Sequence, residues 1–138
     1  MEVRHAAKSL LRIGDDRLVF VSGITGRQNL VGGGIDAGEK PKGALLREGN
    51  EEIKDFTEIT TEPEELFTIE GPITTATGEE KIAHWTVFDT VLLVPSVELQ
   101  IPTDSEVVAV SIVTPKECYE HPRMSDLARR AVLRAHGR

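Results

Sequence analysis

The order of helical and strand patterns along the 138 residues predicts an α/β fold in which a mixed β-sheet lies between layers of helices. Two strand patterns precede a helical pattern at residues 41–56, further strand patterns follow it, and a second helical pattern comes last. The length fits a single domain, residues 1–138, with a sizeable core. No internal repeat or linker divides the sequence.

Charge and hydropathy argue against several classes of partner. The chain has 16 Lys and Arg against 23 Asp and Glu, a formal net charge of −7, so it has no general attraction for nucleic acid or anionic membranes. No segment approaches the roughly 18 consecutive apolar residues of a membrane span, and the first residues lack the apolar part of a signal peptide. We therefore expect a soluble, cytoplasmic protein. Cys118, the single cysteine, is expected to be a packing residue.

The first part of the chain predicts a β-hairpin. Residues 3–13 alternate as a strand with one basic face that includes Lys8, and residues 17–22 form a more buried strand after a turn. Residues 23–29 are a polar loop, in which Arg27 is either a substrate contact or an exposed loop residue.

The helical pattern at residues 41–56 begins with Pro41, which suits the first turn of a helix, and carries three carboxylates on one face. Glu48, Glu51 and Glu52 stand at positions i, i+3 and i+4. Like charges at this spacing oppose helix formation by roughly 0.2–0.5 kcal/mol per pair. A hard divalent cation, Mg2+ or Mn2+, would offset that repulsion because it prefers carboxylate oxygens. The alternative is a solvated acidic face.

The residues around these carboxylates resemble the signature of the Nudix hydrolase family, G-x5-E-x7-R-E-U-x-E-E-x-G-U, where U is a bulky aliphatic residue. Six glycine and charged positions match it in register: Gly33, Glu39, Arg47, Glu48, Glu51 and Glu52. The resemblance covers nearly the whole chain. It implies a Nudix-like α/β/α sandwich with a central mixed sheet.

Three positions of the box, Gly33 to Asp55, depart from that signature. Gly49 stands where an aliphatic residue is usual, Lys54 where a glycine normally ends the helix, and Asp55 where another aliphatic residue belongs. Gly49 would cost the helix about 1 kcal/mol relative to Ala. Without the usual glycine, the helix is expected to continue to residues 56–57.

The resemblance also implies roles for particular side chains. The metal ligands would be Gly33, through its backbone, and Glu48, Glu51 and Glu52. The residues that would carry or support catalysis are Glu39, Arg47, Glu48, Glu51 and Glu106. Either Glu48 or Glu106 would be the general base, with Asp104 as a further candidate near Glu106. The alternative for Glu106 and Asp104 is an acidic turn.

After the helix, the sequence predicts a short strand at residues 66–70 that ends at a turn containing Pro72. Residues 74–80 form a hairpin tip, and residues 81–94 the longest strand, which is apolar on both faces and therefore central. Trp85 lies in this strand. It either stacks on a nucleobase or fills the core.

The last third of the sequence predicts one strand and two helices. Residues 107–113 form the strand, Thr114 begins a short helix through a capping box, and Ser125 caps the final helix, which Gly137 would end. The basic side chains expected on the exposed face of that helix are Arg129, Arg130 and Arg134.

The function implied by the resemblance is Mg2+- or Mn2+-dependent hydrolysis of the pyrophosphate linkage in a nucleoside diphosphate joined to another group, such as a nucleoside triphosphate. The residues predicted to contact the small-molecule nucleotide substrate are Lys8, Arg27 and Trp85. The alternative is a Nudix-fold module that binds a nucleotide without cleaving it. Isomerase chemistry on the same fold is a weaker third interpretation, and a homodimer is among the expectations.

Overall fold

The structure is a computed structural model that describes residues 1–75 and 77–136. Within this part of the chain the elements follow in the order β1 (Val3–Ile13), β2 (Arg17–Ser22), β3 (Gln28–Asn29), β4 (Val31–Gly34), α1 (Pro41–Glu52), α2 (Phe56–Ile59), β5 (Glu64–Thr74), β6 (Glu80–Val91), a 3-10 turn (Ser96–Glu98), β7 (Ala109–Val113), α3 (Pro115–Glu120) and α4 (Asp126–His136). None of these helices has the length and apolar character needed to span a membrane.

The strands form one mixed sheet with β1 at its centre. β1 runs parallel to β6 from Val3 opposite Ile82 to Arg12 opposite Val91. The other edge of β1 is shared, because β4 pairs with its first half and β2 with its last residues. The strand order is β3-β2-β1-β6-β5, and β7 pairs with β2. The predicted hairpin and the central position of β6 are therefore confirmed.

Two apolar cores lie on opposite faces of this sheet. α1 and α2 bury side chains such as Leu45 and Phe56 against one face. α4 buries Leu127 and Val132 against the other face, where Trp85 also lies, and α3 adds the Cys118 side chain to the same core. The arrangement is an α/β/α sandwich, as the sequence predicts.

The end of α1 differs from its prediction. The helix ends at Glu52 and Ile53 is extended, whereas we expected it to continue to residues 56–57. Asp55 then takes a left-handed conformation (φ 58°) and the short helix α2 begins at Phe56. The ring of Phe56 folds back onto Gly49, where an added Cβ would lie 2.4 Å from the ring. The atypical glycine of the box therefore makes room for this reversal.

The strand after α2 is longer than predicted. β5 covers Glu64–Thr74 and passes through Pro72, which pairs in register with Ile82 of β6. The prediction of a turn at Pro72 is wrong because β5 is at the edge of the sheet, where a residue without an N–H group is tolerated. β6 ends at Val91 rather than at residue 94, and β7 begins at Ala109 rather than at residue 107.

The caps of the last helices follow the sequence. Thr114 and Glu117 form the predicted capping box at α3. The Ser125 hydroxyl accepts a hydrogen bond from the Ala128 N–H at 3.1 Å at the start of α4. The predicted end of α4 at Gly137 lies outside the described residues.

The arginines predicted for the exposed face of α4 also make specific contacts. Arg130 donates to the carbonyl oxygen of Glu70 at 3.1 Å, and Arg134 to that of Thr68 at 3.0 Å. Both carbonyls belong to β5, so α4 covers part of the sheet edge with cations. Arg129 instead bonds to Asp126 and to the backbone before α4.

Candidate active site

The glycine turn before α1 is packed tightly against its neighbours. Gly32 has φ 129°, and an added Cβ would lie 2.0 Å from the carbonyl oxygen of Ala7. At Gly33 an added Cβ would lie 2.5 Å from the carboxyl carbon of Glu48. The fold requires glycine at Gly32, where a side chain would meet the backbone of β1, and at Gly33 a side chain would displace the carboxylate of Glu48.

The three predicted carboxylates lie on α1 at different depths. The side chain of Glu48 is 21% exposed and that of Glu51 is 59% exposed. Glu52 is partly buried, and its Oε1 accepts a hydrogen bond of 2.7 Å from the Gly32 N–H. The turn of β4 and the carboxylate face of α1 therefore hold one another in place.

Arg47 connects the turn to the carboxylates. Its guanidinium donates two hydrogen bonds of 2.9 Å to Glu39, one of 2.8 Å to Glu48 and one of 3.0 Å to the Gly34 carbonyl. It also lies 3.7 Å from Glu51. The Arg47 hydrogen bonds lower the pKa of Glu39 to about 2, and Glu39 and Glu48 raise the pKa of Arg47. Arg47 is thus placed to orient Glu48.

Lys8 of β1 is buried, Glu52 of α1 is partly buried, and both bond to the backbone of Gly32. Burial lowers the pKa of Lys8, against the opposing attraction of Glu52 and Glu48. Burial raises the pKa of Glu52 to about 7, although Lys8 and the Gly32 N–H favour its charged form. Lys8 is not part of a solvated basic face. Its ammonium donates to the Gly32 carbonyl oxygen at 3.4 Å.

A cavity of about 520 Å3 opens at the carboxylate face of α1. It brings the helix together with the loop before β7, which contributes Asp104 and Glu106. Its lining residues are Glu48, Glu51, Glu52, Pro102, Asp104, Ser105, Glu106 and Val107. Five carboxylates from two distant parts of the chain therefore face one space.

The donors in this cavity fit a hard divalent cation by their chemistry, because they are carboxylate oxygens beside a glycine turn whose backbone approaches closely. They do not yet converge. Among the described residues, no three acidic, His or Cys side chains meet at one point. Glu48 is held by Arg47 and Glu52 by the Gly32 N–H, so binding a cation would require these side chains to reorient.

A second cavity, of about 200 Å3, is lined by the three residues that the sequence analysis predicts to contact substrate. Lys8, Arg27 and Trp85 all line it, and the Lys8 ammonium lies 5.3 Å from the centre of the Trp85 ring. Trp85 is buried in the core, as one of its two interpretations predicts, and it also lines this cavity, where stacking on a nucleobase stays a prediction. The sequence did not identify Arg4 and Asn29, which line the cavity as well, because strand pairing places them there.

Comparison with known proteins shows the family to which this chain belongs. The NUDIX domain model matches residues 3–135, so the chain belongs to the NUDIX domain family. This confirms the resemblance seen in the sequence and the class of enzyme that it implied, a Nudix-type pyrophosphohydrolase. No curated protein sequence matches the chain.

Solved structures share this fold at low sequence identity. The Escherichia coli dihydroneopterin triphosphate pyrophosphohydrolase is 17% identical with a TM-score of 0.75, and the match covers 97% of each chain. A Caenorhabditis elegans Ap4A hydrolase is 17% identical (TM-score 0.72; 97% of this chain, 95% of that one). The NUDIX domain of Shewanella oneidensis NrtR, complexed with ADP ribose, is also 17% identical (TM-score 0.72; 99% and 88%). At these identities the likeness shows the fold.

Proposed function

We propose that this chain is a Mg2+- or Mn2+-dependent hydrolase that cleaves the pyrophosphate linkage of a nucleoside diphosphate joined to another group, with a nucleoside triphosphate or a related nucleotide as substrate. The observation that carries the proposal is the cavity at α1. There the box carboxylates Glu48, Glu51 and Glu52 face Glu106 across one open space. A packing role would not account for five carboxylates around a single cavity.

The chain's own residues would divide the work in the following way. Glu48, Glu51 and Glu52, with the backbone of Gly33, would hold the cation, and Arg47 would keep Glu48 in position. A divalent cation, when bound, supplies neutralisation of phosphate charge and activation of water. The buried ammonium of Lys8, between this site and the Trp85 cavity, would contact a phosphate of the substrate.

The contacts favour Glu106 over Glu48 as the general base. One oxygen of Glu48 already accepts a hydrogen bond from Arg47. The carboxylate of Glu106 is exposed to the cavity and has no hydrogen bond or ion pair with any residue that the structure describes. Glu106 would therefore accept the proton of the attacking water, since a base must be free to reach it.

The nucleoside would lie in the cavity that contains Trp85. Lys8 lines this cavity and donates to the Gly32 carbonyl, while the Gly32 N–H donates to Glu52 of α1, so phosphates bound by Lys8 would lie on the side of the cavity nearest α1. An aromatic ring and flanking cations are suited to a base and its phosphates. The structural neighbours act on or bind a pterin triphosphate, Ap4A and ADP ribose, which share a phosphoanhydride.

The test is release of phosphate, pyrophosphate and nucleoside monophosphate from a panel of substrates with Mg2+ or Mn2+. The panel contains nucleoside triphosphates, nucleotide sugars, ADP-ribose and dinucleoside polyphosphates. We expect turnover of one class by wild type, loss of at least 100-fold in Glu52→Gln, and unchanged rates in Glu120→Gln, a matched control on the exposed surface of α3. Equal rates in wild type and Glu52→Gln would contradict the proposal.

One observation favours a second candidate, a module that binds a nucleotide without cleaving it. The carboxylates do not converge on a common point within the described part of the chain. A similar fold occurs in the NUDIX domain of NrtR, in complex with ADP ribose. If no panel member is cleaved while one raises the melting temperature, this second function replaces the first.

A further inference from the structure

Two cavities adjoin on the α4 side of the sheet. The smaller one contains Lys8 and Trp85, and the larger one, of about 450 Å3, lies against the loop before α4. They share four lining residues: Arg27, Ile73, Thr74 and Ser125. Together they form one groove that has Lys8 in the smaller cavity at one end. We call it the basic groove.

The charge of the basic groove is opposite to that of the chain. One carboxylate, Asp126, lines it. Its cationic side chains are Arg4, Lys8, Arg27, Arg123 and Arg129. The formal net charge of the whole chain is −7, so five cations against one carboxylate is a local reversal. The proposed hydrolysis uses Lys8, and Arg4 and Arg27 flank the proposed nucleoside cavity, whereas Arg123 and Arg129 have no part in it.

The larger cavity, which we call the distal part of the basic groove, lies where two segments of the chain are joined by hydrogen bonds to backbone atoms. Arg123 donates to the carbonyl oxygen of Thr25, and the Gln28 N–H donates to the carbonyl oxygen of Arg123 at 3.0 Å. These contacts bring the loop that carries Arg27 against the segment before α4. Cations from two regions of the chain are therefore placed together by the fold.

Hydrogen-bond donors remain unused in this part of the groove. The side chain of Arg27 makes no hydrogen bond or ion pair within residues 1–75 and 77–136, and it is exposed. The Nε of Arg129 is buried without an acceptor among the same residues. A guanidinium has five N–H donors, and Arg123 and Arg129 use only part of theirs.

We propose that the basic groove binds a second phosphate of the substrate, one that lies outside the pyrophosphate linkage that is cleaved. Guanidinium groups bind phosphate through paired hydrogen bonds, and three of them surround the distal cavity. Such a phosphate is either attached to the ribose or part of a longer polyphosphate chain. This inference rests on the proposed function, in which the pyrophosphate linkage is cleaved at the carboxylates of α1.

The test measures binding without turnover. In a buffer with EDTA, calorimetry compares AMP with adenosine 2′,5′-bisphosphate, adenosine 3′,5′-bisphosphate and adenosine 5′-tetraphosphate. We expect one of the last three to bind wild type at least about tenfold more tightly than AMP. In Arg27→Gln and in Arg123→Gln that advantage should fall below about threefold. Arg17→Gln, which removes an exposed charge that lines neither cavity, should keep it.

The outcomes separate this inference from the proposed hydrolysis. An advantage for a ribose bisphosphate places the second phosphate on the ribose, and one for the tetraphosphate alone places it in the chain. No advantage for any of the three, or an advantage that persists in both groove variants, overturns the inference. Cleavage of a nucleotide without this discrimination would retain the proposed function alone, and discrimination without cleavage would retain the groove alone.

Discussion

Gly49 allows a quantitative test of how α1 ends. Replacing it with Ala should favour the helix by about 1 kcal/mol through propensity. The new Cβ, however, would lie 2.4 Å from Cδ2 and 2.7 Å from Cε2 of Phe56. The Phe56 side chain is 0% exposed, so its ring cannot move aside without displacing the core. Overpacking of this kind costs about 1–3 kcal/mol. We therefore expect Gly49→Ala to lower the free energy of unfolding by about 1 kcal/mol.

The same helix offers a matched control. Gly43 has no atom within 4 Å of an added Cβ. Gly43→Ala should therefore raise the free energy of unfolding by about 0.5–1 kcal/mol, because propensity acts there without a clash. Urea unfolding followed by far-ultraviolet circular dichroism measures both variants, with the midpoint compared at constant slope.

A double-mutant cycle identifies Phe56 as the cause. In a Phe56→Leu background the ring is gone, so Gly49→Ala should no longer destabilise, and the coupling between the two changes should be about 1–2 kcal/mol. If Gly49→Ala alone stabilises the chain as much as Gly43→Ala does, the Phe56 ring does not oppose a side chain at this position. If the Phe56→Leu background leaves the effect of Gly49→Ala unchanged, the ring is not the cause of that effect.

Three further predictions concern the site and the buried thiol. Gly33→Ala should abolish turnover with little change in the free energy of unfolding, because the added Cβ displaces only the Glu48 side chain. Gly32→Ala should instead lower the free energy of unfolding by about 1–3 kcal/mol, because Gly32 has a positive φ and the added Cβ would meet the backbone of β1. Kinetic assays and urea unfolding separate the two, and equal stability loss would contradict this. Arg47→Lys should reduce kcat about 10- to 100-fold, because an ammonium cannot bridge Glu39 and Glu48 at once; a rate within twofold of wild type would refute it. Burial raises the pKa of Cys118 to about 11. At pH 8, three pH units lower, about one thiol in a thousand is therefore ionised. Iodoacetamide should modify the native protein far more slowly than the urea-unfolded protein, because it reacts with the thiolate. Equal rates in the two states would show that the thiol is accessible.

The fold was predictable where a local pattern determines the element. Alternation identified β1, an apolar run after a turn identified β2, and the capping box at Thr114 identified the start of α3. The layers followed from the order of these elements. The end of α1 was not predictable from local rules, because it depends on a contact between Gly49 and Phe56 that lies across a chain reversal. The helix propensity of Gly49 does not predict that the Phe56 ring packs against it.

The candidate site was predictable to the extent that it lies within one helix and one turn. The spacing of Glu48, Glu51 and Glu52 on α1 was sufficient to place them on one face. Arg123 was not predictable, since its hydrogen bond to Thr25 joins residues 98 apart in sequence. The distal part of the basic groove depends on such contacts. No motif in the sequence marks it.

Binding of Mn2+ tests the proposed metal site most directly, and electron paramagnetic resonance of the free ion in a titration with protein measures it. We expect wild type to bind Mn2+, Glu51→Gln and Glu52→Gln each to weaken binding about tenfold or more, and Glu120→Gln to bind as wild type does. Thermal unfolding of each variant confirms that the fold is intact. Mn2+ binding that is unchanged in both Glu51→Gln and Glu52→Gln would contradict a metal site at the carboxylates of α1.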